Sequence, residues 1–265
     1  MLDRMLLVAA TSVVVAGWFV PDFTQADREA AAAPTESVSK FAVLELFTSE
    51  GCSSCPPADR LLRRISEQRD RIDGDVFVLS WHVDYWNYLG WSDPFSSKLA
   101  TQRQRRYAKR LGTSVFTPQL VVNGRESAVG SKSAEVTAAF NKGIQPSRGS
   151  IDASVASVKG DSVVVSVRHG KVPVGATVLI CLVQKSGQVD VRRGENSGRT
   201  LDHINIVRGV QQARAKSEEA TIKAELRLPR GLTAENAGIV VLLEDRSSLQ
   251  LLAASETSLS PQGAR

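Results

Sequence analysis

Phe47-Thr48-Ser49-Glu50-Gly51-Cys52-Ser53-Ser54-Cys55-Pro56-Pro57-Ala58-Asp59 is the stretch on which the reading of this chain turns. Before it, Phe41–Phe47 is an apolar, β-prone run interrupted only by Glu45. After it, Pro57–Gln68 repeats apolar residues at Ala58, Leu61, Leu62 and Ile65, the spacing of one helical face. The Cys-x-x-Cys pair therefore falls where a buried strand ends and a helix begins. That placement predicts a helix N-terminus beside Cys52, whose unpaired N–H groups and dipole lower a thiol pKa. The two-residue spacing lets Cys55 attack a mixed disulfide formed at Cys52.

The same alternation continues outward. Val76–Trp81 reads as a second buried strand. Asp93-Pro94 reads as an N-cap and first helical residue, opening a helix to about Leu111 that Gly112 stops. Gln119–Val122 is a third strand, turned by Asn123-Gly124, a hairpin signal. Ser131–Asn141 reads as a helix closed by Gly143, and 143–150, with its Gly, Pro and Ser, as a linker. Beyond it, short β-prone runs recur from Ile151 to Ala253 between turns, which predicts an antiparallel, sandwich-like domain.

At 265 residues, with 42% hydrophobic and 23% charged residues, the composition is that of a globular protein. A net charge of +5 and a pI near 9.3 are spread along the chain, and no nucleic-acid partner is expected. Arg4, the apolar run Met5–Val20 and the small residues up to Ala33 describe a secretory signal peptide, with an uncleaved membrane anchor as the alternative. Either reading exports the protein to the periplasm or beyond. The expected division is 1–33 as signal or anchor with its linker, 40–145 as an α/β domain and 150–258 as a β-rich domain.

Three uses of the dithiol fit the residues. Thiol–disulfide exchange is one, on cysteine-containing envelope proteins or a redox partner protein. Metal handling, copper above all, is another, with Cys52, Cys55 and His82 as the available soft ligands; the only methionines are Met1 and Met5. A structural disulfide in a binding or assembly module is the third. No cofactor is called for, and no zinc set is complete. Cys181, inside the apolar run Ala176–Val183, reads as a buried hydrophobe.

If the strand Val76–Trp81 runs parallel to the one ending at the dithiol, His82, Trp86 and Trp91 meet the same sheet edge. His82 could then tune or shuttle a thiol proton, while Trp86 and Trp91 could form an apolar lip for substrate. Arg103, Arg105, Arg106, Lys109 and Arg110 read as a solvated helix face. His169 and His203 are isolated among strands and receive no chemistry.

Thr117-Pro118 before the strand Gln119–Val122, together with the dithiol, resembles the thioredoxin superfamily. By that resemblance Pro118 is a cis-proline facing Cys52 and Cys55, and Thr117 offers backbone groups to a bound peptide. The opening stretch, Trp81-His82-Val83-Asp84-Tyr85-Trp86, Gly90-Trp91-Ser92-Asp93-Pro94 and Glu195-Asn196-Ser197-Gly198-Arg199-Thr200-Leu201 resemble the bacterial secreted family catalogued as domain of unknown function 1223. This resemblance implies export and a thioredoxin-like domain, with no established substrate. Thioredoxins commonly carry Trp before the first cysteine and an acid six residues before it. Here those positions are Gly51 and Leu46, so proton management must come from elsewhere or be poor.

Overall fold

β1 (Lys40–Thr48) is buried along nearly its whole length, which explains its almost unbroken apolar sequence. In the computed structural model, which describes residues 39–259, it pairs in parallel with β2 (Asp75–His82), in the register Phe47↔Trp81 and Thr48↔His82. On its other edge it pairs antiparallel with β3 (Gln119–Val122), which turns through Asn123 and Gly124, at φ +47° and +65°, into β4 (Glu126–Val129). The short β5 (Gln145–Pro146) also pairs with β1. The segment expected to be a free linker is thus part of the sheet, and Gln145 Nε2 donates to the Leu251 carbonyl at 2.7 Å.

Three α-helices are present among the described residues: α1 (Pro56–Glu67), α2 (Lys98–Leu111) and α3 (Ser133–Gly143). α2 starts later than the sequence suggests. Ser97 caps it by accepting from Ala100 N, while Asp93 accepts from Phe95 N in a turn of its own. Seven further strands follow: β6 (Ser150–Lys159), β7 (Ser162–Gly170), β8 (Thr177–Asp190), β9 (Thr200–Arg214), β10 (Ala220–Arg227), β11 (Ala237–Glu244) and β12 (Leu251–Ser258).

The expected architecture, a thioredoxin-like α/β domain followed by a separate antiparallel sandwich, is overturned. The protein is mostly β, and one mixed sheet runs in the order β12-β11-β8-β9-β2-β1-β3-β4, crossing the expected boundary at 145–150. A separate antiparallel sheet, β10-β7-β6, stacks on it. All described residues belong to one compact unit. The individual strands are near their expected places, but the free edge of β2 is taken by β9, not left as a domain border. Local periodicity says which face of a strand is buried. It does not say which strand lies beside it.

Side-chain alternation sorts the core into two faces. On one, Phe41, Val43 and Phe47 of β1 join Leu179 and Cys181 of β8 and Leu242 of β11 beneath Ala100 and Tyr107 of α2. On the other, α1 and α3 cover the strands of the first half. The three-stranded sheet covers the alternate residues of β8 and β11, such as Ile180 and Val241. Cys181 is fully buried, and burial pushes its thiol up to about 12.

The arginine-rich face of α2 is solvated only in part. Arg103 is buried and meets Glu45 of β1 at 2.5 Å and Glu244 of β11 at 2.9 Å, while Tyr107 Oη donates to Glu45. Arg106 adds a second contact to Glu244 at 2.9 Å. This cluster fastens α2 to strands from both ends of the chain. Removing the cation would strand two buried carboxylates, so Arg103→Ala should lose about 3–5 kcal/mol in urea unfolding. Arg105→Ala, at an exposed position on the same helix, should stay within about 0.5 kcal/mol of the wild type.

Candidate functional site

Cys52 and Cys55 form a disulfide, with α-carbons 5.4 Å apart. Cys55 occupies the N-cap position of α1, and Cys52 lies one turn earlier in a tight turn closed by Cys55 N donating to Cys52 O at 3.1 Å. The helix end therefore serves Cys52 less than the sequence suggests. Pro56 and Pro57 have no N–H, and the N–H groups of Ala58 and Asp59 are both spent on the Cys55 carbonyl. The sulfur of Cys52 meets the Ser54 hydroxyl at 3.4 Å. Both cysteines are buried, whereas Ser53 and Ser54 between them are exposed.

What covers the loop comes from the far end of the β8–β9 hairpin. Asn196, itself fully buried, donates from Nδ2 to the carbonyls of Glu50 (2.8 Å) and Cys52 (2.9 Å). Glu195 accepts from Ser53 N at 3.0 Å, and hydrogen bonds from Ser53 hold its carboxyl below the usual range. Arg199 Nη1 donates to Asn196 Oδ1 and fixes the amide's orientation. On the other side Trp86 packs on Gly51, where a side chain's Cβ would stand 3.0 Å from the Trp86 Cβ.

Beneath the loop lies a buried cluster of ionisable side chains. His82 Nδ1 pairs with Asp93 Oδ2 at 2.7 Å, and the same oxygen accepts from Glu50 N. The His82 ring meets that of His203 edge-on at 4.6 Å. His203 in turn has Glu50 Oε1 3.4 Å from its Nε2 and Asp59 Oδ1 3.9 Å from its Nδ1. Glu50 accepts from Trp91 Nε1 at 2.7 Å, and Asp59 from the Thr48 hydroxyl at 3.2 Å. Yet Glu50 Oε1, Asp59 Oδ1, His82 Nε2 and both His203 nitrogens lack a hydrogen bond. Buried atoms of this kind are normally satisfied, so their concentration under the disulfide needs an explanation.

Electrostatics divides the cluster. Burial works against charge on His82, but Asp93, then Asp59 and Glu50, outweigh it and raise the imidazole pKa above its ordinary 6.5. Burial likewise works against charge on Asp93, and His82 outweighs it, lowering the carboxyl below 3.8. The two form an ion pair. Asp59 goes the other way: burial dominates, and neither histidine restores its acidity. Among the described residues no group of three or more His, Cys, Asp or Glu is placed to hold a metal ion. The His203 nitrogens face carboxylates on opposite sides of the ring, so their donors do not converge.

The structure thus brings most of the expected residues to the loop, in altered roles. His82 partners Asp93, His203 and Phe95. Trp86 Nε1 donates to Thr117 Oγ1 at 2.8 Å, and the Thr117–Pro118 bond is cis. Trp91 is tied to Glu50, so the indole N–H groups of both tryptophans are used within the protein. The sequence reading missed His203, Asp59 and Glu50. Glu50 and Asp59 flank the dithiol and were in view, whereas His203 sits in a strand with no local sign of chemistry.

Two outcomes check this geometry. Asn196→Ala leaves the Glu50 carbonyl without this donor and removes one of the two donors to the Cys52 carbonyl, a loss of about 1–3 kcal/mol. It should also open the loop and speed disulfide reduction by dithiothreitol about tenfold, read by alkylation of the released thiols. The His82–Asp93 pair should stabilise fully between about pH 3.8 and 6.5. Its contribution is lost as pH rises through the raised His82 value, and lost as pH falls through the lowered Asp93 value. The gap in melting temperature between wild type and Asp93→Asn should therefore narrow at both ends of the range.

No curated protein matches the chain. Among solved structures, a protein from Agrobacterium tumefaciens is 30% identical, with a TM-score of 0.64 over 84% of this chain and 96% of that one. A domain of the outer membrane lipoprotein Omp28 from Porphyromonas gingivalis aligns with 44% of this chain and 92% of its own at 15% identity, with a TM-score of 0.27. A β-glucosidase from Kluyveromyces marxianus aligns with 43% of this chain and 14% of its own at 15% identity, with a TM-score of 0.22. The last two scores are too low to inform the fold. The model of the family described as protein of unknown function, DUF1223, matches residues 43–244, so the chain belongs to that family.

Proposed function

We propose that the protein carries out thiol–disulfide exchange through Cys52 and Cys55, outside the cytoplasm, on cysteine-containing envelope proteins or a dithiol partner. The observation that carries this reading is the separation of the two cysteines by only three positions. A cross-link stabilises a fold by the chain entropy it removes, and a loop this short removes little: about 2 kcal/mol, against about 4.7 kcal/mol for a 100-residue loop. A staple at this place would do little for a protein whose core is already extensive. Exchange chemistry, by contrast, uses a second thiol close enough to resolve a mixed disulfide formed at the first, which this spacing provides. For copper handling, no third His, Cys, Asp or Glu among the described residues is placed with the pair to hold a metal ion.

In this reading a partner thiolate attacks the Cys52 sulfur and Cys55 leaves. In the opposite direction, the reduced Cys52 thiolate attacks a substrate disulfide, and Cys55 resolves the mixed disulfide. Access requires the contact of Asn196 and Glu195 with the loop to give way, so a partner would compete with that contact. Export is supported by Arg4 and the apolar run Met5–Val20, which lie outside the described residues. Among the described residues no helix is long and apolar enough to cross a membrane, so a membrane tether, if one exists, would rest on the same N-terminal run.

Equilibration with dithiothreitol or glutathione buffers, followed by alkylation and mass measurement, should give a reduction potential well above about −300 mV. Cys55→Ser should accumulate a mixed disulfide at Cys52, and Cys52→Ser should accumulate none. A potential below about −300 mV would sink the proposal and leave a structural disulfide.

A further inference from the structure

The carboxylates of Glu50 and Asp59 bracket the disulfide in the chain, two residues before Cys52 and four after Cys55. In space they converge on opposite sides of one imidazole. His203 Nε2 faces Glu50 at 3.4 Å and Nδ1 faces Asp59 at 3.9 Å, all three side chains being buried. Asp59 lies one turn beyond Cys55 on α1, its N–H bonded to the Cys55 carbonyl at 3.1 Å, which sets both residues on one helical face. Neither His203 nitrogen has a hydrogen-bond partner, nor has the oxygen of either carboxylate that faces it. Buried polar atoms are normally hydrogen-bonded, and here four of them face one another without such bonds.

We propose that Glu50, His203 and Asp59 form a buried proton store for the Cys52–Cys55 couple, with His203 passing a proton between the two carboxyl groups. The proposal rests on the exchange reading and assigns the proton management that Leu46 does not supply. Burial raises the Asp59 carboxyl above its ordinary range, and Asp59 is the member nearest the leaving thiol in the chain. The other ionisable groups around His203 are accounted for. His82 of β2 meets its ring and is paired with Asp93. Arg208 of β9 stacks on Phe95, whose ring touches both histidines. Trp91 and Thr48 hold the outer oxygens of Glu50 and Asp59.

The balance is as follows. A partner dithiol releases one proton to solvent and attacks Cys52; the Cys52–Cys55 bond breaks, and Cys55 leaves with the electron pair. Cys55 takes a proton from Asp59, which is refilled by one proton from solvent relayed through Glu50 and His203. The partner's second thiol, losing its proton, attacks its own sulfur in the mixed disulfide. Cys52 leaves and takes up that proton. The partner ends as a disulfide, the protein as two thiols, and no net proton is gained or lost. Asp59 and His203 act through Cys55 and position its proton.

The test uses the full-length exported form, its Asp59→Asn and His203→Gln variants, and dithiothreitol as the dithiol. Rates of disulfide reduction are followed from about pH 5 to about pH 8. Both variants should be slowed about tenfold and lose the wild-type pH dependence. That loss is below the roughly hundredfold of a direct general acid, because thiolates leave without full protonation. Asp59 ends refilled, so the infrared reduced-minus-oxidised spectrum of the wild type should show a carboxyl C=O band shifted as the neighbouring disulfide becomes two thiols, a paired feature that disappears in Asp59→Asn. Should Asp59→Asn fail to fold, judged by circular dichroism and by alkylation of Cys181, the wild-type band and the His203→Gln pH profile decide. Wild-type rates and pH profiles in folded variants, or no carboxyl band in the wild type, would overturn the proton store while leaving exchange intact. A wild-type disulfide that dithiothreitol cannot reduce at any pH would overturn both.

Discussion

The junction between β2 and β9 is a single ladder pair, Ser80 opposite Ile206, reinforced by the Ser80 hydroxyl donating to the Ile204 carbonyl at 2.8 Å. The rest of the molecule is organised by this narrow contact. It closes the gap between the strands before and after residue 145, making one sheet of what would otherwise be two. Asn205 beside it adopts φ +43°, a local irregularity in β9, which pairs with β8 on both sides of it, Ile206 opposite Gln184 and Ile204 opposite Ser186. Two residues before it His203, opposite Gly187 of β8, sets its ring against His82 of β2. The hairpin beyond it then carries Asn196 and Glu195 back over the dithiol loop.

Two buried charged clusters lie in the same fold and differ in kind. Around Arg103 every carboxylate has a cation or hydroxyl partner, and the cluster ties α2 to β1 and β11. Such a network specifies how elements dock, because breaking it strands a charge in the core. Around His203 the partners are incomplete, and the cluster sits under a redox-capable bond. Among the described residues unsatisfied buried atoms also occur at Trp81 Nε1 and both His169 nitrogens, but around His203 they face one another across an imidazole and two carboxylates.

The dithiol loop is correspondingly held from outside. Two prolines open α1 and leave few free donors for a thiolate at Cys52, so the helix end contributes little. The loop backbone is instead fixed by Asn196 from the hairpin and by Trp86 against Gly51. Gly51 is small because Trp86 occupies the space, which makes the tryptophan's position part of the loop's geometry. Control of the disulfide therefore rests with residues distant in sequence.

The sequence by itself determined the elements that depend on neighbours in the chain. These include the buried β1, the helix after the dithiol, the Asn123-Gly124 turn with both residues at positive φ, and Cys181 as a core residue. Each follows from side-chain period or from a residue's own backbone preference. Only the tertiary structure decided that β9 adds to β2, that Arg103 is buried, and that Asn196 and His203 belong to the dithiol. Those facts rest on partners more than fifty, and in the case of Asn196 more than a hundred, residues away. An isolated histidine in a strand looks the same on the page whether it meets solvent or two carboxylates. Its role is fixed by which strand lies alongside, and burial across the whole sheet settles that.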